Sequence, residues 1–438
     1  MIRLLVLVAF AVLLAPGQAR PVGLTLIVTG VEPRSNSAAI SWQASGPLRT
    51  VVEYGTTADL GIWTKRTGPA TTGRILLPAL EPGTIYRYRV VGVGQTRVEE
   101  TGSFETDGPR PWAVATTTRN ALFVDWQPLF PRMVFHTCSW YYGSALAAGI
   151  NLFMGNACQG PHEQIELLGA RGYSALSVPD RKVNGRGLIG FYQQDEPDGF
   201  GLTDLPKLPS SKESKRVTFL TLTDHFSSRS APLPVGKGVY PRLISRAEMI
   251  GFDTYPLQTR CTKDFTLVYD MQRELVALAA GKPTFQWIEA GPMGKCSGLD
   301  PTAATIRAQV WLAVAGGARG IGYFPDFWPG AIGTTIGAVN RTLAALAPAL
   351  LAPEVPVRFG PHGTPVKAGA RKLNGAFYVI AANPSFSAAK AIFTVPGLKA
   401  GSVRIYGENR TIPVRNGRFS DTFGGLASRI YIAAPPLS

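Results

Sequence analysis

Hydrophobic and polar positions follow two different patterns along this chain of 438 residues. Between residues 20 and 107, apolar and polar residues alternate in short runs separated by turn residues, as at positions 38–42, 50–54 and 86–91. An alternation with a period of two is typical of strands that bury one face. The pattern therefore predicts a β-sandwich over residues 20–107.

A second pattern begins after the proline-rich segment 107–111, where apolar runs alternate with segments that can form helices. The apolar runs are residues 133–137, 150–154, 173–177, 188–192, 217–221, 249–253, 284–288 and 320–324, and the helical segments include residues 161–168, 267–278 and 301–312. Parallel strands covered by helices are apolar almost without interruption. Eight such strands over about 240 residues are typical of a TIM barrel. We therefore predict a (β/α)8 barrel over residues 111–350.

The alternating pattern returns after a last helical segment at residues 337–346 and a group of prolines. Apolar and polar residues alternate again at positions 376–383, 391–395 and 428–432. This predicts a C-terminal β-sandwich over residues 351–438. The predicted fold class is thus multidomain, with a central TIM barrel between two β-sandwiches.

The first 19 residues have the composition of a secretory signal peptide. Arg3 is followed by an apolar run at residues 4–15 and by small residues, which is the order of charge, apolar segment and cleavage site in such peptides. The run is short for a membrane helix, and no later run reaches that length. We expect a secreted, periplasmic or cell-surface protein whose mature chain has no transmembrane segment; an uncleaved anchor is the alternative.

The cysteines of the chain indicate disulfides. Cys138 and Cys158 follow the first and second predicted barrel strands, and Cys261 and Cys296 follow the sixth and seventh. Neighbouring strands bring each pair into adjacent loops, and thiols pair in an oxidising compartment. We predict Cys138–Cys158 and Cys261–Cys296 disulfides. The cysteine and histidine spacings fit no zinc motif, so no metal or other cofactor is expected.

The chain is basic, with a formal net charge of +15. A basic protein can bind acidic polymers or nucleic acid. Here lysine and arginine are dispersed, with no basic strip that contains aromatic residues, so the charge is better explained as a solvated surface. We expect no nucleic-acid partner, and we expect a monomer.

Polar and aromatic residues follow the predicted barrel strands at their carboxyl ends, where barrel enzymes bind their substrates. In chain order these residues are His136, Asn156, Asp180, Asp195, Glu196, Asp224, Asp253, Tyr255, Glu289, Asp326 and Trp328. Glu196 and Glu289 follow strands four and seven, which face each other across a barrel. Two carboxyl groups that face one sugar can act as acid and nucleophile in glycoside hydrolysis.

Three of these segments, Asp195-Glu196-Pro197, Trp287-Ile-Glu289 and Trp328, resemble clan A of the glycoside hydrolases. The resemblance implies a retaining enzyme with Glu196 as acid/base, Glu289 as nucleophile, Tyr255 orienting the nucleophile and Trp328 stacking on a sugar. Clan members usually have asparagine where this chain has Asp195. We expect Asp195, Asp253, His136 and Asn156 to contact substrate as well.

A second resemblance concerns the N-terminal region. The segment at residues 80–88, with Tyr86 and Tyr88, resembles the turn and tyrosine corner of a fibronectin type III domain. Trp42 takes the position of the core tryptophan of that domain. The resemblance implies the fold of this region and says little about its function.

The sequence therefore predicts a secreted retaining glycoside hydrolase that acts on a polysaccharide or oligosaccharide. One alternative is a carbohydrate-binding or scaffold protein with an inactive barrel. Another is a metal-dependent hydrolase that uses Asp180, Asp224 and Asp253 as ligands.

Overall fold

The computed structural model of the chain describes residues 23–35, 37–78, 80–108, 113–118, 121–207, 216–399 and 401–433. The chain divides into two compact units, Met1–Pro109 and Arg110–Ser438. The predicted signal peptide, residues 1–19, lies outside the described residues.

The first unit is built of antiparallel strands. These are β1 (Leu26–Pro33), β2 (Ala38–Gly55), β3 (Ile62–Trp63), β4 (Ala70–Leu77), β5 (Ile85–Val93) and β6 (Arg97–Glu105). The first part of β2 pairs with β1 and β4, its second part pairs with β3 and β5, and β5 pairs with β6. The predicted strands are present, and the alternating residues bury one face around Trp42.

Tyr86 makes the hydrogen bond expected of a tyrosine corner, because its hydroxyl oxygen accepts from the backbone N–H of Glu81 at 2.9 Å. In this motif the tyrosine hydroxyl bonds back to backbone a few residues upstream. The assignment of the unit to the fibronectin type III fold stays a prediction.

The second unit contains a closed barrel of eight parallel strands. They are β10 (Arg132–Phe135), β11 (Leu152–Met154), β12 (Tyr173–Ser177), β13 (Leu188–Tyr192), β14 (Val217–Leu222), β15 (Met249–Asp253), β16 (Thr284–Glu289) and β17 (Ile321–Phe324). Each forms in one of the eight predicted runs, and each pairs with the next until β17 closes on β10. The predicted barrel is confirmed.

A small antiparallel sheet precedes the barrel. Its strands are β7 (Ala115–Thr117), β8 (Leu122–Val124) and β9 (Gln127–Leu129). Buried side chains of this sheet, such as Leu122, belong to one apolar cluster with inward residues of the barrel, such as Met133 and Val217. These two residues begin or nearly begin their strands, so the sheet packs at the amino-terminal end and leaves the carboxyl end open.

The α-helices of the described residues are α1 (Tyr142–Ala147), α2 (Pro161–Leu168), α3 (Tyr240–Ile244), α4 (Thr266–Leu278), α5 (Ala303–Gly316) and α6 (Ala331–Leu350). No α-helix follows β12 or β13 in the described part of the chain, in contrast to a regular (β/α)8 repeat. Pro179, Gly185 and Gly187 lie after β12 and disfavour a helix there. Within the described ranges, no helix is both long and apolar enough to cross a membrane.

The C-terminal region forms two sheets around one core. Its strands are β18 (Glu354–Val355), β19 (Arg358–Gly360), β20 (Lys367–Leu373), β21 (Ala376–Ala382), β22 (Ala389–Thr394), β23 (Ser402–Ile405), β24 (Thr411–Pro413), β25 (Arg418–Phe423) and β26 (Ser428–Ala433). One sheet has the order β18-β20-β21-β26-β23-β24 and the other β19-β22-β25. Val379 and Phe393, one from each sheet, lie in the shared core, which confirms the predicted β-sandwich.

Candidate active site

A cleft of about 330 Å³ is lined by residues at or near the carboxyl ends of the barrel strands. The lining residues are Phe135, Asp195, Glu196, Thr221, Asp253, Tyr255, Thr259, Trp287, Met293, Lys295 and Phe324. They come from strands on both sides of the barrel and from the loops that follow. The cleft thus combines three carboxyl groups with aromatic walls, at the end where barrel enzymes place their active sites.

Asp195 and Glu196 are held in the cleft by the edge of the neighbouring strand. After β13 ends, the backbone N–H of Gln193 donates to the Phe219 carbonyl at 2.9 Å and that of Glu196 donates to the Thr221 carbonyl at 3.1 Å. Glu196 has φ of 45°, in the left-handed region that residues with a Cβ seldom adopt. Strain of this kind at a cleft is common where a side chain must be aimed at a ligand.

Asp198 fixes the segment that carries Glu196. Its side chain is 1% exposed, and its carboxylate accepts from the Thr223 backbone N–H at 3.0 Å and from the Tyr240 hydroxyl at 3.1 Å. It also accepts from the Thr223 hydroxyl. Asp198 is not among the residues predicted from the sequence, although it lies only two residues after Glu196.

We expect Asp198→Ala to lower the free energy of unfolding by about 2–4 kcal/mol, because it leaves a buried backbone N–H and two hydroxyl groups without their acceptor. Asp198→Asn is the matched control. The asparagine amide oxygen can still accept from the Thr223 N–H, and its NH2 can donate to a hydroxyl. The free energy of unfolding of Asp198→Asn should therefore fall by only about 1 kcal/mol. Calorimetry of both variants measures this, and equal stability of the two would contradict the anchoring role.

Asp253 and Glu196 lie beside each other in the cleft. Asp253 ends β15, and Tyr255 lines the cleft two residues later. Burial, the negative charge of Glu196 and a hydrogen-bonding interaction with the Glu196 carboxyl group hold the pKa of Asp253 well above its usual value. Two carboxyl groups this close are stabilised when one of them keeps its proton.

Asp195 is the third carboxyl group of the cluster. Burial, and then the charge of Glu196, raise its pKa to about 7. Like charges that crowd in a poorly solvated site cannot all ionise. Asp195 and Asp253 therefore hold their protons at a higher pH than ordinary aspartates do, and the cluster can offer both a proton donor and a carboxylate to a bound molecule, which is the combination used in general acid catalysis.

The aromatic walls of the cleft are fixed by contacts with one another. The indole N–H of Trp287 donates to the Thr221 hydroxyl at 3.0 Å, and the rings of Trp287 and Phe135 meet at 5.6 Å. Tyr255 stacks on Phe324 with ring centroids 6.2 Å apart. These wall residues are not among the site residues predicted from the sequence. Residues two apart in a strand point to the same face, so the spacing of Phe285 and Trp287 could have indicated that Trp287 points into the barrel.

Glu289 does not line the cleft, in contrast to the expected arrangement. It is 0% exposed, and its carboxylate accepts from the backbone N–H groups of Leu257 and Gln258 at 3.1 and 2.9 Å and from the Gln309 amide at 3.0 Å. Buried backbone N–H groups need acceptors. The N–H groups of Leu257 and Gln258, in the loop after β15, find theirs in the Glu289 carboxylate. Burial raises the pKa of Glu289 to about 7, although these hydrogen bonds oppose the rise.

The other predicted substrate contacts are spread around the cleft rather than gathered in it. His136 is exposed, and its Nε2 lies 2.8 Å from the Tyr192 hydroxyl. The side-chain amide of Asn156 donates to the Gln159 carbonyl. Trp328 is half-buried and donates to the Pro325 carbonyl at 2.7 Å. Of the predicted site, only Asp195, Glu196, Asp253 and Tyr255 line the cleft.

Two of the aspartates proposed as metal ligands have other partners. Asp224 forms a salt bridge with Arg260 at 2.8 Å and accepts from the Thr254 hydroxyl. Asp180 accepts from the Ser177 hydroxyl at 2.6 Å. The part of the chain that the structure describes contains no group of three or more histidine, cysteine, aspartate or glutamate side chains suited to a metal ion. The metal-dependent alternative therefore has no supporting geometry.

Both predicted disulfides, Cys138–Cys158 and Cys261–Cys296, are present. The second joins the loop after β15 to the loop after β16. Lys295, adjacent to Cys296 in sequence, lines the cleft. The disulfide therefore holds part of the cleft rim.

The sequence matches no protein-family model and no curated protein. Solved structures are similar to the chain in their backbone. A GH30 endoxylanase from Clostridium papyrosolvens C71 has 13% identity and a TM-score of 0.43, over 73% of this chain and 97% of the other. The Ruminococcus gnavus β-glucuronidase has 9% identity and a TM-score of 0.40, over 72% and 67%. The structural neighbours thus include glycoside hydrolases, although similarity at this level carries no argument about activity.

Proposed function

We propose that the protein is a glycoside hydrolase that cleaves an oligosaccharide or polysaccharide in the cleft at the carboxyl end of its barrel. The observation that carries this proposal is the cluster of Asp195, Glu196 and Asp253 between the aromatic walls of the cleft, in which the pKa values of Asp195 and Asp253 are raised. Cleavage of a glycosidic bond needs a proton donor for the leaving oxygen and a carboxylate beside the anomeric carbon. Aromatic faces suit the apolar faces of sugar rings.

Glu196 is the acid/base in this proposal and Asp253 is the nucleophile. Both groups line one cleft, so one can donate a proton while the other is negative. Inverting enzymes keep their carboxyl groups roughly 6.5–9.5 Å apart to admit water, whereas retaining enzymes hold them at roughly 5–5.5 Å. Glu196 and Asp253 are close enough for Glu196 to raise the pKa of Asp253, which favours the shorter separation and retention through a glycosyl-enzyme intermediate on Asp253.

Tyr255 and Asp195 support this pair. Tyr255 lines the same cleft two residues after Asp253, and in this proposal its hydroxyl orients Asp253, whereas the sequence predicted that it orients Glu289. Asp195, with its pKa raised to about 7, is placed to accept a hydrogen bond from a sugar hydroxyl or to stabilise positive charge on the ring in the transition state.

Glu289 takes a positioning role instead of the nucleophile role. Through Leu257 and Gln258 it holds the loop that follows Tyr255 and the end of β15. A nucleophile must reach the anomeric carbon, and a carboxylate without exposed surface would have to break its three hydrogen-bonding contacts first. The buried Oε1 of Gln309 has no hydrogen-bond partner, so this amide can flip to accommodate an amide at position 289.

We expect Glu289→Gln to keep kcat within about tenfold of the wild type and to change the free energy of unfolding by about 1 kcal/mol or less, because the flipped Gln309 can accept from the new NH2. Glu289→Ala should lower the free energy of unfolding by about 2–4 kcal/mol, because it leaves two buried N–H groups unpaired. Kinetics and calorimetry of both variants measure this. If kcat of Glu289→Gln instead fell about 10⁴-fold while its stability was retained, Glu289 would be the nucleophile.

Secretion is part of the proposal. The signal-like segment at residues 1–19 motivates it, and the two disulfides support it because such bonds persist in oxidising compartments. Mass spectrometry of the protein recovered outside the cytoplasm should show a chain that begins near Arg20.

The experiment that tests the proposed function is hydrolysis of a panel of aryl glycosides and polysaccharides by the mature chain. Hydrolysis of one sugar class supports it and names the substrate. A protein that hydrolyses no member of a broad panel but binds one polysaccharide would be the carbohydrate-binding alternative.

A further inference from the structure

A second depression, here called the rim groove, lies on α1, on α6 and on the loop that follows β17. It has a volume of about 520 Å³ and is lined by Tyr141, Ser144, Ala147, Ala148, Asp326, Phe327, Trp328, Gly330, Gly333, Thr334, Gly337 and Arg341. Several of the lining residues are small. A Cβ on Gly333 would lie 2.7 Å from the Trp328 carbonyl oxygen, so α6 packs closely against the loop that carries Trp328.

Aromatic rings stand on one side of the rim groove with their surfaces in solvent. Tyr141 and Phe327 meet with ring centroids 5.7 Å apart, and Trp140 lies beside Tyr141 with centroids at 6.2 Å. Phe327 is 56% exposed and Trp140 is 68% exposed. Large apolar side chains that are grouped and exposed mark binding surfaces more often than single exposed ones do.

Polar groups complete the rim groove. Asp326 and Arg341 contribute opposite charges, and Ser144 and Thr334 contribute hydroxyl groups. Arg341 is exposed and forms no salt bridge with another described residue. A sugar ring needs a flat apolar surface for its face and donors and acceptors for its hydroxyl groups, and the rim groove offers both.

The rim groove and the cleft are connected along the chain by two loops. Phe324, which lines the cleft, is followed within three residues by Phe327, and Phe135, which also lines the cleft, precedes the segment with Trp140 and Tyr141. The strands that carry these loops, β10 and β17, are paired neighbours. A chain of sugar units that leaves the cleft between these two strands would meet the exposed rings next.

We propose that the rim groove binds sugar units of a polymeric substrate beyond the unit held in the cleft, so that long glycan chains are preferred over small glycosides. This inference rests on the proposed function and extends it to the class of substrate. It also gives Trp328 a place in substrate binding outside the cleft.

The test compares kcat/KM on the polysaccharide with kcat/KM on the corresponding aryl glycoside. We expect the ratio of the two to fall about tenfold when Phe327→Ala and Trp140→Ala are combined, since stacking on aromatic faces contributes on this scale. Phe386→Ala is the matched control, because Phe386 is 54% exposed and lies in the C-terminal sandwich; its ratio should equal that of the wild type. A ratio unchanged in the double variant would overturn the proposal.

Affinity electrophoresis through gels with soluble polysaccharides separates this inference from the proposed function. In a Glu196→Gln background the rim groove is intact, and the double aromatic variant should lose the retention that the background shows. This loss would support the rim groove even if no substrate were hydrolysed. Equal retention of both proteins, or no retention of the Glu196→Gln protein in any gel, would overturn it.

Discussion

Replacing Glu196 with glutamine is expected to lower kcat by about 10²- to 10⁴-fold. Glu196 lines the cleft beside Asp253. Glutamine keeps the shape of the side chain but cannot donate a proton to the leaving oxygen. The loss should be greatest for substrates with poor leaving groups, such as polysaccharides, and smaller for activated aryl glycosides, which need less help from an acid. Steady-state kinetics on both substrate types measure this difference.

The control for Glu196→Gln is Glu166→Gln, the same chemical change at an exposed position on α2. We expect Glu166→Gln to have wild-type kinetics, and we expect both variants to keep the thermal midpoint of the wild type within a few degrees. Wild-type activity of a folded Glu196→Gln protein on polysaccharide would remove Glu196 from the mechanism.

Replacing Asp253 should have an effect at least as large, with kcat lowered by about 10⁴-fold or more. The proposed intermediate is an ester between the Asp253 carboxylate and the anomeric carbon, which asparagine cannot form. Asp253 must be ionised to act as the nucleophile, and its pKa is raised, so the activity of the wild type should rise with pH as Asp253 loses its proton. Asp253→Asn has no carboxyl group to ionise at this position, so its residual activity should not show this rise.

Azide distinguishes Asp253 from the other carboxyl groups. In Asp253→Ala, a small anion can occupy the space of the missing carboxylate and attack the anomeric carbon, so azide should restore turnover and give a glycosyl azide. The same treatment of Glu289→Ala should restore nothing. Asp300→Asn, at an exposed position, is the control for the change of charge. Azide rescue confined to Glu289→Ala would exchange the roles of the two residues.

Much of the fold could be predicted because its signals are local. The barrel strands are continuous apolar runs, and β12, β13 and β15 have the predicted bounds. The disulfides followed from strand order, because loops after neighbouring strands are close in space. The missing helices after β12 and β13 were harder to foresee, since proline and glycine lower helix propensity without forbidding a helix.

The site was less predictable, because it depends on where side chains turn after a strand ends. Alternation along β16 places Phe285 and Trp287 inside the barrel and suggests the same for Glu289. Instead, the Glu289 carboxylate accepts hydrogen bonds from the backbone N–H groups of Leu257 and Gln258, in the loop after β15. Such contacts join segments about thirty residues apart, and no local pattern encodes them.

The contact of Asp253 with Glu196 also depends on tertiary structure. From the sequence, Asp253 ends a strand like several other aspartates, and such residues are often turn formers or helix caps. What distinguishes it is that the loop after β13 brings Glu196 against it. Asp224, which follows β14, had the same signal and forms a salt bridge instead.

The most direct test of the account is to identify the carboxyl group that forms the intermediate. A 2-deoxy-2-fluoro glycoside of the sugar that the wild type hydrolyses forms its ester quickly and releases it slowly, so the labelled peptide can be isolated and sequenced by mass spectrometry. We predict a single fluoroglycosyl group on Asp253, and Glu196→Gln should slow the labelling. A label on Glu289, or hydrolysis without any label, would contradict it.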